Sequence, residues 1–384
     1  MKGVNKENIK KHALNEFLSE YKELNTDNKY RPVAVGRYGI RKRESIYSKE
    51  LAKDYSKNKL IHKDTLTVGM GSKQIDIGIL IEDETFAVSP AYHTYKIQGI
   101  RCKYLEYCLQ SKNIEMFSLY AKRGSRQGKS IDLKRWLTYK IPVYSEEDQI
   151  VIEENLNKIN VVIELRRKQL ELLDELVRAR FVEMFGDPIE NQKDWEVVKI
   201  RDIVTDVRYG TSKPAVEGGR YPYLRMNNLT VNGGLDLSDL KYIDIPDNEI
   251  EKCVVRKGDI LFNRTNSIDL IGKTAVFNLL DDMVIAGYII RIRLNKQILP
   301  DVFSQYMNLE AMKKVLRGMA KGAVNQANIN AQELQSIKVY IPNMELQKQY
   351  VEFKEAIDKS RSRIQKSLEA SQELFDSLMQ EYFG

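Results

Sequence analysis

Cysteine is scarce in this chain of 384 residues: only Cys102, Cys108 and Cys253 are present, and none forms a CxxC pair. An odd number without pairing argues against a disulfide framework and for free thiols in a reducing compartment. Histidine is equally scarce. His12, His62 and His93 share no ligand spacing with one another or with cysteine, so zinc binding and a histidine-based triad both lack support. No run of 18 apolar residues occurs, and the N-terminal stretch MKGVNKENIKKHALNEF lacks the apolar core of a signal peptide. A soluble, cytoplasmic, nucleoid-associated protein is expected. The Asn/Asp-Pro-Pro-aromatic stretch that an adenine methyltransferase needs to hold a flipped base is also missing; Asp187-Pro188 is followed by Ile189. The nearest approach to a phosphate loop, GSRQGKS over Gly124–Ser130, has three residues between its glycines where a Walker A has four. Gly69-Met70-Gly71 lacks the third glycine of a dinucleotide fingerprint. No catalytic machinery is legible.

Apolar and charged residues are plentiful. Hydrophobic residues make up 42% and aromatics 9%, enough for packed cores, and the length suggests two or three domains. Charge is uneven. Residues 1–145 hold 28 Lys+Arg against 16 Asp+Glu, whereas residues 146–186 hold 6 against 10. The basic first segment suits a polyanion such as nucleic acid.

The chain also repeats itself once. EMFG (Glu183–Gly186) recurs as EYFG (Glu381–Gly384), 198 positions later. At that offset Gln149 matches Gln347, Leu176 matches Leu374, Gly124 matches Gly322 and Ile131 matches Ile329. Ile141-Pro142 is matched to Ile341-Pro342 by allowing a two-residue insertion. A period this long indicates a duplicated unit of domain plus helix rather than a solenoid. In the first helix Ile152, Leu156, Ile159, Ile163, Leu170, Leu173, Val177 and Met184 follow a heptad rhythm, with Arg166 and Arg180 in the gaps. In the second, Tyr350, Ile357, Ile364, Leu368, Phe375, Leu378 and Tyr382 keep the rhythm, interrupted by Lys354, Arg361 and Ser371. Each helix, of roughly 36 residues, spans about 54 Å. Paired, the two bury their seams and space the domains.

The globular halves read as mixed. Val284–Ile292 and Ile75–Ile81 look like strands, and 103–109 and 302–307 like short helices. Residues 6–24 read as an extra amphipathic helix, with Leu14, Phe17, Leu18, Tyr21 and Leu24 near one face. The expected fold is α+β: two tandem α/β-mixed domains (1–146 and 187–344), each followed by a long helix (147–186 and 345–384), the helices pairing as an antiparallel coiled coil.

Several segments resemble the specificity subunits of type I restriction–modification systems. In the second half these are GTSKP (Gly210–Pro214), YPYLRMNN (Tyr221–Asn228), LDLSDLKYI (Leu235–Ile243), KGDILFNRTNS (Lys257–Ser267) and GKTAVF (Gly272–Phe277). In the first half Val68–Lys73 and VSPAY (Val88–Tyr92) are similar to a second subclass of target domain. The likeness runs from about residue 31 to the end. It implies that each domain recognises one half of a split target in double-stranded DNA. It also implies that the helices dock two modification subunits, which bind S-adenosylmethionine and methylate adenine. Motor-nuclease subunits using ATP and magnesium complete the complex, and this chain carries no cofactor of its own.

Groove readers are drawn from Arg, Asn and Gln, and phosphate contacts from Lys, Arg, Ser, Thr and Tyr. The candidates in the first domain are Arg37, Tyr38, Arg41, Lys42, Arg43 and Lys73, with Arg123, Arg126, Gln127 and Lys129 around the glycine loop. In the second they are Tyr209, Thr211, Ser212, Lys213, Arg225, Asn227, Asn228, Arg264, Asn266, Ser267, Asn325, Gln326 and Asn328. Asn227 and Asn228 could equally satisfy a buried turn. Two other readings compete: a DNA-binding repressor or architectural protein built on the same duplication, and a coiled-coil adaptor without nucleic acid.

Overall fold

The computed structural model describes residues 4, 9–36, 39–46, 54–123, 129–320 and 327–384. The chain divides into two compact units, residues 1–166 with 366–384, and residues 167–365. Each contains a globular domain, part of one long helix and part of the other.

In the first unit an antiparallel sheet has the order Leu18–Glu20, His93–Ile97, Thr65–Met70, Ile75–Leu80. Its inward side chains include Leu66, Val68, Ile75 and Ile77, all at most 5% exposed. They pack on the helices Cys102–Ser111 and Asn113–Tyr120, whose Tyr104, Leu105, Cys108 and Met116 are fully buried. The alternation of apolar residues in Ile75–Leu80 gives one face to this core.

Of the expected helix over residues 6–24, the described part, 9–24, forms no α-helix. Lys10–Ala13 is a strand pairing antiparallel with Lys140–Val143, a single 3-10 turn spans Leu14–Glu16, and Leu18–Glu20 joins the main sheet. The helical spacing of Leu14 and Leu18 is real, but two sheet edges offer ladder hydrogen bonds and burial that an isolated amphipathic helix lacks.

The second unit repeats this plan. Glu196–Lys199 pairs antiparallel with Lys338–Ile341, as Lys10–Ala13 does with Lys140–Val143. The backbone N–H of Ile200 donates to the Ile337 carbonyl at 2.9 Å, and that of Leu14 to the Tyr139 carbonyl at 3.0 Å. In both turns an acid reaches back to the residue preceding the turn: Glu16 accepts from the Ala13 N–H, and Asp202 from the Lys199 N–H. The segment without a role in the sequence is therefore the first element of the repeat. The Ile-Pro match is a false equivalence. The strands 140–143 and 338–341 and the helices starting at Glu146 and Met344 all keep the 198-residue offset, so there is no insertion, and buried Val339 stands where Ile141 does.

Beyond this shared scaffold the second unit has an antiparallel sheet of order Val204–Tyr209, Ile289–Leu294, Ile260–Asn263, Thr274–Val276. A second sheet runs Lys241–Ile243, Tyr221–Leu224, Met283–Ile285, Val254–Val255. The apolar run Val284–Ile292 is thus two strands in different sheets, broken at Ala286–Tyr288.

The long helices run Glu146–Phe185 and Met344–Phe383, 40 residues each. In the first unit Ile152, Leu156, Ile159 and Ile163 pack with Leu378, Met379, Tyr382 and Phe383. In the second, Val177, Phe181 and Phe185 pack with Tyr350, Phe353 and Ile357. The start of one helix meeting the end of the other makes the pair antiparallel. Gln149 and Gln347 hold their helices to the domains. The Gln149 side chain accepts from the Arg101 N–H and donates to the Tyr144 carbonyl, while Gln347 accepts from the Leu299 N–H and donates to the Gln297 and Pro342 carbonyls.

Candidate nucleic-acid interface

Three segments of the second unit converge on one surface. The strand Val204–Tyr209 ends at Gly210, where an added Cβ would lie 2.2 Å from the Ile285 carbonyl oxygen, so only glycine lets the chain pass. The following loop is pinned by the Tyr223 hydroxyl, which bonds to the Thr211 and Lys213 carbonyls at 3.1 Å each. Thr211 Oγ1 accepts from the Lys213 N–H, and the Lys213 ammonium pairs with Glu249 at 2.8 Å. Ser212 is exposed.

The second segment, Arg264–Ser267, leaves the central strand and pairs with Ala327–Asn328 as a two-residue ribbon. The Thr265 hydroxyl donates to Asn328 Oδ1 at 2.9 Å, and Asn266 donates from Nδ2 to Asn263 Oδ1 at 2.8 Å. Ser267 is exposed beyond the ribbon. The Arg264 guanidinium lies over the ring of Tyr209, 4.9 Å from its centroid. The Tyr209 hydroxyl in turn accepts from the Ala331 N–H at 2.8 Å. Tyr209, Arg264, Asn266 and Asn328 are thus brought together.

Tyr221–Asn228 behaves differently. Arg225 is held by Asp239, through its carboxylate at 2.7 Å and its carbonyl. The guanidinium in turn keeps the Asp239 carboxyl below its ordinary range. Asn228 is 2% exposed; it accepts from the Arg225 N–H and donates to the Asp236 carbonyl. It satisfies a buried turn and cannot reach a groove, which removes it from the candidates. Asn227 beside it is exposed.

In the first unit Arg41 and Lys42 lie exposed on the Val33–Gly36/Gly39–Lys42 hairpin, with the Lys42 ammonium 3.8 Å from Glu84. Lys73 is exposed in the turn joining Thr65–Met70 to Ile75–Leu80. Arg43 lines a cavity of about 780 Å³ together with Val35, Asp76, Tyr92, His93 and Ser130. Burial raises the Asp76 carboxyl and lowers the His93 imidazole. The Tyr92 ring fills the space over Gly69, where a Cβ would come within 2.3 Å of it, and its hydroxyl bonds the Val35 carbonyl. Gly69 thus serves aromatic packing. Sequence inspection missed Asp76 and His93, because a carboxylate and a histidine in a basic domain carry no DNA-reading signature. Arg37, Tyr38, Arg126, Gln127, Asn325 and Gln326 lie outside the described residues, as do the side chains of Arg123 and Lys129. Among the described residues no helix is long and apolar enough to cross a membrane, and no cluster of His, Cys, Asp and Glu could hold a metal.

Comparison with known proteins defines the class. Residues 192–372 match the family model of the type I restriction modification DNA specificity domain. The chain is 30% identical over 198 residues to the putative type I restriction enzyme MjaX specificity subunit of Methanocaldococcus jannaschii, covering 50% of this chain and 46% of that protein. It is 21% identical over 227 residues to the type I restriction enzyme EcoKI specificity subunit of Escherichia coli K12, covering 55% and 49%. These alignments span about half the length of the curated relatives. The fold is similar to the S subunit of a type I restriction–modification system from M. genitalium, with a TM-score of 0.57 at 15% identity, covering 100% of this chain and 98% of that one. A second solved structure, described in terms of complex assembly and conformational transition of the type I R-M system, gives 0.55 at 15% identity, covering 100% and 99%. Residues 192–372 thus match the type I restriction modification DNA specificity domain, and over about half its length the chain is similar to type I specificity subunits.

Proposed function

We infer that this chain reads a split DNA target for a type I restriction–modification complex, one half-site per unit, and performs no chemistry itself. The observation that carries this reading is the duplication. The strand pair, capped turn and glutamine-held helix recur in both units, while the candidate contact surfaces on them differ. A protein reading a palindrome with two copies of itself needs no second, dissimilar reader in the same chain. The paired helices present the surface on which two modification subunits dock. Those subunits supply S-adenosylmethionine and adenine methylation, and separate motor-nuclease subunits supply ATP- and magnesium-dependent cleavage.

The test is to co-express the chain with the modification subunit of its own system and map methylated adenines across the host genome. The reading predicts two short, unrelated half-sites separated by an unspecified spacer, and one copy of this chain with two modification subunits in the purified complex. A continuous palindromic site, or turnover of DNA or ATP by the purified chain alone, would refute it.

A further inference from the structure

Most arginines of the second unit are committed to carboxylates: Arg208, Arg220, Arg225, Arg256, Arg291 and Arg293 each hold an aspartate or glutamate. Arg264 has no such partner among the described residues. It is half-buried, and its Nε is closed off from solvent without an acceptor. Its guanidinium instead rests on the Tyr209 ring, which the Ala331 N–H holds by its hydroxyl. The Arg264 backbone is fixed on both sides, its N–H donating to the Tyr288 carbonyl and its carbonyl accepting from the Ile329 N–H. With Nε sealed, the terminal Nη groups are what remains to meet a ligand. A planar cation locked against a ring, with two donors available, fits a planar pair of acceptors.

Two acceptor pairs on DNA suit such a fork: phosphate oxygens, and O6 with N7 of guanine in the major groove. A phosphate track gathers several exposed, adaptable cations. Among the described residues, Lys213 on the loop after Tyr209 is tied to Glu249, and the neighbours of Arg264 on its own segment are the amide and hydroxyl side chains of Asn266 and Ser267. We propose that Arg264, oriented by Tyr209, reads a guanine in the half-site recognised by the second unit. This rests on the DNA-reading function argued above and adds a base and the residue that selects it. Tyr209 is a positioning residue in this arrangement.

The test selects target DNA from a random-sequence library with the full chain bound to its modification subunits, in the wild type, Arg264→Gln, Arg264→Lys and Tyr209→Ala. The wild type should prefer guanine at one position of one half-site. Both Arg264 variants should lose that preference by roughly ten- to a hundred-fold while keeping every other position. Tyr209→Ala should blunt the same preference and no other. Retained preference at the other positions of the second half-site reports that the second unit of each variant is folded. Arg264→Lys keeps the charge. If it kept the wild-type preference, the guanidinium fork would not be what selects guanine; if Arg264→Gln weakened all sequences equally with a log–log salt slope lower by about 0.9, Arg264 would be a phosphate contact; either result overturns the proposal. Unchanged preferences in all variants would overturn it as well. A wild type that selects no sequence at all would instead strike the DNA-reading function on which the proposal stands.

Discussion

Lys313 reaches inward rather than toward solvent. Its ammonium donates to the Gly272 carbonyl and to Asn308 Oδ1, tying the end of the Arg264 loop to the helix Glu310–Met319. Gly272 sits at φ +72° and an added Cβ would lie 2.5 Å from Leu316, so the loop closes tightly there. Burial, with Arg317 and Lys273 nearby, brings the Lys313 pKa down to about 7. In the unfolded chain the lysine keeps its ordinary value near 10.4. Between about pH 7 and 10 the unfolded state therefore binds the extra proton, and native stability rises with pH, by up to about 1.4 kcal/mol per pH unit from this group. Lys313→Met should flatten that slope. Urea unfolding of the second unit's transition at pH 7, 8.5 and 10 measures it, and an unchanged slope in the variant would contradict the assignment.

Among the elements, the helix pair is unevenly sealed. Ile152 and Leu156 are fully buried and Ile163 is 2% exposed, whereas Leu170, Leu173, Ile364 and Leu368 are half-exposed. Leu156→Ala should cost about 2–5 kcal/mol, and Leu170→Ala clearly less, because a half-exposed site leaves little cavity behind. Thermal or urea unfolding of the two variants compares them directly. The heptad rhythm announced both helices, because apolar residues spaced about 3.5 apart over such a length form a continuous stripe only on a helix that pairs with another. The expected spans, 147–186 and 345–384, and the observed ones, Glu146–Phe185 and Met344–Phe383, differ by one residue at each end. The first-unit strand Lys10–Ala13, by contrast, was illegible. Its partner lies some 130 residues away at Lys140–Val143, and local spacing of Leu14 and Leu18 pointed to a helix. Among the contact candidates, residue type alone could not separate Arg264, which lacks a carboxylate among the described residues, from Arg225, which Asp239 neutralises, or exposed Asn227 from buried Asn228.

For the whole molecule, the repeat fixes what an exchange experiment must show. Replacing residues 187–344 with the corresponding domain of a type I specificity subunit should change one half-site and leave the other as it was. Methylation mapping before and after the exchange reads the result. A change in both half-sites would mean that the two units do not read independently.

The two glutamines set the terms on which such an exchange succeeds. Every partner of Gln347 is a main-chain group: the Leu299 N–H and the Gln297 and Pro342 carbonyls. Gln149 likewise uses the Arg101 N–H and the Tyr144 carbonyl. A backbone of the same fold offers these groups whatever side chains it carries. At these two glutamines the joint is therefore blind to the domain's side chains, whereas Arg101–Glu153, Tyr107–Asn157 and Lys354–Asp301 tie it to particular ones. On the proposed DNA-reading function, an exchanged domain keeps the glutamine contacts whatever its exposed surface, and needs matching only at the side-chain pairs that join it to the helix.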